Sequence, residues 1–308
     1  MSVNMIIDWL QATLRWSAPL ILVSIGEVFS ERAGIINMGI EGIMLSGALC
    51  GIAVSFFTGS VLASALVSML LGAIMGILVA FLVVSRRTNQ VVTGLMINLL
   101  AMGGTNLLFA LLSGSRHTRV ATFPVLFSKS LHDVPIIGPI LFQQPLSTWI
   151  ALILPFFSGI ILYKTYWGLN IRAVGDNPQS ASTAGLSVIK LKYQAVILSG
   201  IFAALGGCVL TLGEVGYFAS GGMTAGRGFI VLAAVVVGGW DPVRTALACL
   251  VFGAADAAQL RLQAMGSVVP YQFLQMLPYL ITVIALTIMV KHSRVPKTWG
   301  AAYDQRDI

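Results

Sequence analysis

Long stretches without a charged residue alternate along this chain with short polar interruptions. The run from Val61 to Val84 contains no Asp, Glu, Lys or Arg. A helix that crosses a bilayer needs about 20 such residues at about 1.5 Å rise each, and this run is long enough. Comparable runs predict spans near Trp9–Val28, Ile35–Phe56, Val61–Val84, Val91–Leu112, Thr148–Tyr163, Tyr193–Gly213, Gly228–Gly238, Ala246–Leu262 and Leu274–Val290. A transmembrane barrel would instead alternate apolar and polar positions over segments of about ten residues. The expected fold is therefore all-α, a polytopic transmembrane helix bundle with about nine spans, in a range of about eight to ten. Gly228–Gly238 is half the usual length, and a re-entrant segment there would change the parity of the crossings.

Composition agrees with this pattern. Hydrophobic residues make up 57% and charged residues 9% of the 308 positions, and the mean hydropathy is +0.91. That leaves too little polar surface to cover a soluble globule. The net charge is +7, but the cations are spread over short loops and form no basic helix face, so anionic lipid head groups explain them better than nucleic acid.

The positions of Lys and Arg orient the chain, because short cytoplasmic loops collect them. With the carboxyl terminus inside, Arg32, Arg86, Arg87, Lys164, Arg172, Lys190, Lys192, Arg244, Lys291, Arg294, Lys297 and Arg306 are all cytoplasmic. Only Arg116, Arg119 and Lys129 fall on the opposite side, and Arg15, Arg227 and Arg261 lie in or beside spans. An odd number of crossings puts the amino terminus outside. The first residues carry Asp8 where a signal peptide would have a basic segment, so the first apolar run is expected to stay as a helix.

The chain shows little chemistry of its own. Neither GxxxxGK[ST] nor GxGxxG occurs, and the glycine-rich stretch Gly221–Gly228 has Arg227 where a P-loop has Gly-Lys. His117, His132 and His292 sit in loops or the tail without metal-ligand or catalytic spacing. Cys50, Cys208 and Cys249 are dispersed in apolar segments and read as packing residues. A membrane-embedded enzyme would need a His or carboxylate cluster at one interface. Small residues at four-residue spacing, Gly72/Gly76/Ala80 and Ser199/Ala203/Gly207, are faces for close helix packing in lipid.

Polar residues within the spans are costly in lipid and have two readings, lining a polar path or tying helices together. They are Asn37 and Glu41 in the second run, Asn98 and Asn106 in the fourth, and Asp256 and Gln259 in the eighth. Glu27, Glu31 and Arg32 are expected to mark the membrane boundary.

The longest cytoplasmic interruption runs from Lys164 to Lys192. Within it Asn177 suits an N-cap, Pro178 a first helical position and Gly185 a stop, which predicts a two-turn helix near Pro178–Ala184. Small residues at Ala181, Ser182 and Ala184 leave this helix no apolar core. It suits docking against a soluble partner, or it is an idle loop helix.

At this loop the chain resembles the membrane permeases of ATP-binding-cassette importers for ribose-type sugars, branched-chain amino acids and nucleosides. The residues that carry the likeness are Gly168-Leu169-Asn170-Ile171-Arg172-Ala173-Val174-Gly175-Asp176-Asn177-Pro178, followed by Ala181, Ala184 and Gly185. The stretches Glu31–Gly42, Asn89–Asn98 and Met223–Ile230 are especially similar to the nucleoside branch. This resemblance implies half of a translocation pore for nucleosides working by alternating access, with a simple sugar as the alternative substrate. It implies that Gly168, Arg172, Gly175, Asn177, Pro178, Ala181, Ala184 and Gly185 form a short coupling helix and its flanks, seated on a cytoplasmic ATPase. The implied partners are that ATPase subunit, a second and different permease chain, an extracytoplasmic substrate-binding protein or lipoprotein, and membrane lipids, with no nucleic acid. ATP and Mg belong to the ATPase, so no cofactor is expected in this chain, which is not itself an enzyme. The implied location is a bacterial cytoplasmic (inner) membrane. Two departures are notable: Ser180, Ser182 and Thr183 make the coupling helix more polar than the usual alanine-rich version, and Asp241 stands in Gly239-Trp240-Asp241-Pro242 where Asn is expected.

The expected organisation is one permease domain, residues 1–308, with a coupling loop at 164–192 and an extracytoplasmic loop at 113–147. Amides and aromatic faces suited to a nucleoside path are Asn37, Asn98, Tyr217, Phe218 and Trp240, with Glu41 beside them. An ion-coupled secondary transporter would show two matching halves with interrupted helices, and only a loose glycine similarity links Gly34–Gly51 with Gly226–Gly239.

Overall fold

The computed structural model describes residues 3–112, 121–126, 137–220, 222–265, 270–289 and 295–301. Arg116, Arg119, Lys129, Lys291, Arg294, Arg306, the three histidines, Gly221 and much of the 113–147 loop lie outside the described residues. The helices are α1 (Val3–Arg32), α2 (Ile40–Thr58), α3 (Val61–Ala80), α4 (Gln90–Leu112), α5 (Leu146–Lys164), α6 (Tyr166–Asp176), α7 (Pro178–Thr183), α8 (Val188–Val209), α9 (Arg227–Val237), α10 (Pro242–Ala264), α11 (Tyr271–Gln275) and α12 (Leu277–Met289). π-helical turns extend α3 through Phe81–Ser85 and α8 through Leu210–Val215, and a third spans Gly138–Phe142. Among the described residues the only β-type pairing is an isolated bridge between Val125 and Pro145.

Among the described residues seven helices are long and apolar enough to cross a membrane: α1 to α5, α8 and α10, with α3 and α8 counted with their π turns. They match seven of the nine expected runs. The other two runs are the shorter apolar helices α9 and α12.

Local chemistry sets the ends. Ser60 accepts from the Ala63 N–H at the start of α3, and Asn89 accepts from Val91 and Val92 at the start of α4. Asp241 accepts from Val243 and Arg244 at the start of α10, with Pro242 in the first turn. Such caps satisfy N–H groups that have no partner within the helix.

Helix starts differ from expectation: α1 begins at Val3 rather than Trp9 and α8 at Val188 rather than Tyr193, and one later start has a clear local cause. The second run begins as helix at Ile40 rather than Ile35. Gly34 turns the chain at φ +86°, and side chains from elsewhere take the N–H groups that a helix would use. Ile36 donates to Gln90 Oε1 and Asn37 donates to Glu27 Oε1. The segment is apolar enough for a helix, but its backbone is already engaged.

α1 and α8 form the centre: α1 packs on α8, α10, α5 and α9, and α8 packs on α3 and α2. Backbones touch through small residues. A Cβ on Gly72 would run into the carbonyl of Gly200 and one on Gly200 into that of Gly72, while one on Gly207 would meet the Met44 carbonyl. Such contacts supply helix association where lipid removes the hydrophobic drive. Outward Leu62, Leu66, Leu70 and Ile74 on α3, Leu95, Leu99 and Leu107 on α4, and Phe156 and Ile160 on α5 are exposed apolar side chains. In a bilayer they face an apolar solvent.

Candidate functional site

Asn37, Glu41, Asn98, Glu27, Glu31 and Arg32 gather at two places, one inside the bundle and one at the end of α1. Inside, the first turns of α2 and α9 meet. Glu41, in the first turn of α2, accepts from the Gly226 N–H at 2.8 Å, from the Gly228 N–H at 2.6 Å and from the Thr224 hydroxyl. Its carboxylate therefore closes the amino end of α9, where a negative charge is favoured by the unpaired N–H groups and the helix dipole. Gly226 has φ +76°, a conformation that strains any side chain, and a Cβ there would lie 2.8 Å from the Tyr279 hydroxyl. That hydroxyl donates to the Ala225 carbonyl.

Asn98 holds the other half of this joint. Its Oδ1 accepts from the Gly42 N–H at 2.8 Å and its Nδ2 donates to the Met38 carbonyl at 2.9 Å. Asn37 is fully buried: Oδ1 accepts from the Gly39 N–H and Nδ2 donates to Ser199 Oγ at 3.0 Å. Asn37, Glu41 and Asn98 thus surround the break that precedes α2.

The second gathering lies where α1 ends. Of Glu27, Glu31 and Arg32, the charged group near the end of the first span, both carboxylates have no exposed surface. Glu27 accepts from the Asn37 N–H and from Ser199 Oγ. Glu31 Oε2 accepts from the indole N–H groups of Trp240 and Trp299. Arg32 donates from Nε to the Trp240 carbonyl at 2.9 Å and from Nη2 to the Gly239 carbonyl and Tyr163 hydroxyl. Trp240 is buried at φ +57° in the turn between α9 and α10. Phe218 is buried against Phe109 at 5.1 Å between ring centroids, whereas Tyr217 is exposed. These two are separate from the Glu31 knot.

The expected loop helix forms as α7. Asn177 Oδ1 accepts from the Ser180 N–H at 3.0 Å, Pro178 opens the helix and Gly185 follows at φ +85°. Ala181 is buried in a small apolar cluster with Ala33, Ile171, Val174, Val188, Leu191 and Ala195, while Ala184 and Gly185 are exposed. In α6, Gly168 sits against the Ile161 and Leu162 carbonyls and Gly175 against the Arg32 carbonyl, so neither has room for a Cβ. Arg172 lies over the Tyr163 ring at 5.2 Å. Lys190 and Lys192 start α8 rather than belonging to a loop, and Lys192 is buried.

Pairing was the part hidden from sequence reading. Arg227 and Asp256, named separately, form an ion pair at 3.2 Å, and the Arg227 guanidinium stacks over Trp16 at 5.1 Å. Glu27 with Ser199 and Glu31 with Trp299 were not foreseen as pairs. The only signal was charge inside an apolar run. Among the described residues no group of three or more His, Cys, Asp or Glu could hold a metal ion.

Residues 10–286 match the family described as the branched-chain amino acid transport system, permease component. The chain belongs to this permease family. With seven helices long enough to span among the described residues, it is a multi-pass membrane protein. It is 37% identical over 303 residues to the guanosine ABC transporter permease protein NupQ of Bacillus subtilis, covering 95% of each chain. It is 36% identical to the nucleoside ABC transporter permease protein NupC of Lactococcus lactis, covering 94% of each. It is also 29% identical over 257 residues to the guanosine ABC transporter permease protein NupP of Bacillus subtilis, covering 81% of this chain and 73% of that one. No solved structure matches. The permease is thus a subunit of an ATP-binding-cassette importer, and its relatives are permeases rather than enzymes.

Proposed function

We propose that this permease forms half of a pore that imports nucleosides by alternating access, with ATP and Mg bound on a separate ATPase subunit. The observation that carries the substrate is the likeness, over nearly the whole chain, to permeases named for guanosine and nucleosides. The partner permease is a different chain. Supporting this, one organism holds two relatives with the guanosine permease name, at 37% and 29% identity to this chain. An extracytoplasmic binding protein delivers the substrate, and the assembly sits in the bacterial cytoplasmic membrane.

In this reading the chain, residues 1–308, crosses nine times with its amino terminus outside, and α7 with its flanks at 164–192 is the cytoplasmic coupling element. Contacts at the end of α1 support the count. Arg32 ties the α9–α10 turn to that end, and the Gly300 N–H donates to the Gly34 carbonyl, which puts the described tail on the same side. α9 and α12 then each complete a crossing in spite of their length. Gly168, Arg172, Gly175, Asn177, Pro178, Ala181, Ala184 and Gly185 shape or present the docking surface, and the buried cluster under Ala181 lets a push on α7 reach α8 and α1. Deleting the chain and following uptake of labelled nucleosides tests the substrate: uptake is expected to be lost. Unchanged nucleoside uptake, with loss of a labelled sugar's uptake instead, would overturn it.

A further inference from the structure

The segment 295–301 follows α12 in the chain, yet its anchors lie elsewhere. Three consecutive residues bind three different places. Thr298 donates from both its N–H, at 3.1 Å, and its hydroxyl, at 2.6 Å, to the Gly175 carbonyl at the end of α6. Trp299 donates its indole N–H to Glu31 Oε2 at 2.8 Å. Gly300 donates its N–H to the Gly34 carbonyl at 3.2 Å.

Two further contacts make this more than a tail laid on a surface. The Trp299 and Trp240 rings meet edge to face, 5.9 Å between centroids and 78° between planes, and share the same Glu31 oxygen. Trp240 is the corner between α9 and α10, in the left-handed region that only strong surroundings impose on a large side chain. Gly175 is also the point where α6 touches α1, since a Cβ there would run into the Arg32 carbonyl. One residue of the tail therefore holds the coupling element, and the next holds the corner that sets the lower end of α9. The upper end of α9 is held by Glu41. Glu31 and Trp240 have no exposed surface, so their bond is closed to water, and Trp299 brings the second indole donor to the same oxygen from the surface.

From this we infer that Thr298–Gly300 is a transmission strap: it keeps the α6–α7 coupling element in register with the Trp240 corner, so that movement of α7 reaches α9. Trp299 and Thr298 are positioning residues acting through Glu31 and Gly175. The inference rests on the proposed docking of the ATPase at α7.

The test uses the full importer in proteoliposomes. Trp299→Phe keeps an aromatic ring against Trp240 and removes one donor, and Thr298→Val keeps the shape and removes the hydroxyl bond. Each is measured for nucleoside taken up per ATP hydrolysed. Each also carries Gln179→Cys on α7, cross-linked to cysteines placed in the ATPase groove. The expected result is a cross-link as strong as in the parent with uptake per ATP lower by about five-fold, the scale of one lost hydrogen bond. Cross-linking with an unchanged uptake per ATP, including a parallel fall of uptake and hydrolysis, overturns the strap and leaves the docking reading standing. Absence of the cross-link in the parent overturns the docking reading, and the strap with it.

Discussion

Glu41 and Gly228, nearly two hundred positions apart, are joined by a 2.6 Å hydrogen bond from the backbone N–H of Gly228 to a carboxylate oxygen. A Cβ on Gly228 would lie 2.7 Å from the Glu41 Cα, so the two helix starts are as close as backbones allow. This joint, with Thr224, Gly226 and Tyr279 around it, explains why an acidic residue persists in an apolar run.

Replacing Glu41 by Ala leaves the Gly226 and Gly228 N–H groups without an acceptor, at a cost of about 1–3 kcal/mol for each group that stays dry. Thermal unfolding of the detergent-solubilised importer is expected to shift down strongly for Glu41→Ala and less for Glu41→Gln, whose amide oxygen still accepts one bond. Equal melting of the three proteins would show that the joint contributes nothing.

The Arg227–Asp256 pair, 15% and 8% exposed at the side chain, behaves as a buried pair. Removing one partner strands the other and costs about 3–5 kcal/mol, whereas replacing both with apolar side chains of similar size recovers most of it. Arg227→Met and Asp256→Leu, alone and together, form the cycle to measure by unfolding. Additive single effects would refute the coupling.

Glycines sort by what stands opposite them. Gly200→Ala pushes a methyl into the Gly72 carbonyl and is expected to destabilise by about 1–3 kcal/mol. On α4, Gly103 has nothing within 4 Å of an added Cβ, so Gly103→Ala gains helix propensity, up to about 1 kcal/mol. The check is opposite signs of the melting shift in the same preparation.

Arg172 lies on α6 with its guanidinium over Tyr163, a contact of only about 0.5–1 kcal/mol at such sites. Arg172→Glu should therefore insert and assemble normally. Uptake per ATP is expected to drop roughly ten-fold, within the usual range of coupling between sites. ATP-driven uptake at the parental rate would remove Arg172 from the coupling surface.

Much of this fold was legible because charge is scarce. Seven apolar runs correspond to the observed spans, and Asn177-Pro178 with Gly185 located α7 to within a residue. Ile35–Gly39 was misplaced into helix because hydropathy records side chains and not the fate of backbone N–H groups, which Gln90 and Glu27 take from afar. The burial of Glu27 and Glu31 was hidden for a related reason. Their partners are Ser199 and the indoles of Trp240 and Trp299, and nothing local announces them. The π turns after α3 and α8 had no visible signal. Asn37, Glu41 and Asn98 stood out in sequence only as polar residues within apolar runs, and geometry showed that all three serve the same break.

The Glu41 joint also bears on how the chain is made. Synthesis runs from the amino terminus, so α2 leaves the ribosome with a carboxylate whose hydrogen-bond donors, the N–H groups of Gly226 and Gly228, do not yet exist. An unpaired carboxylate is poorly tolerated in hydrocarbon. The joint between α2 and α9 therefore closes only once the last third of the polypeptide has been made, and until then the Glu41 side chain lacks the donors it has in the finished bundle.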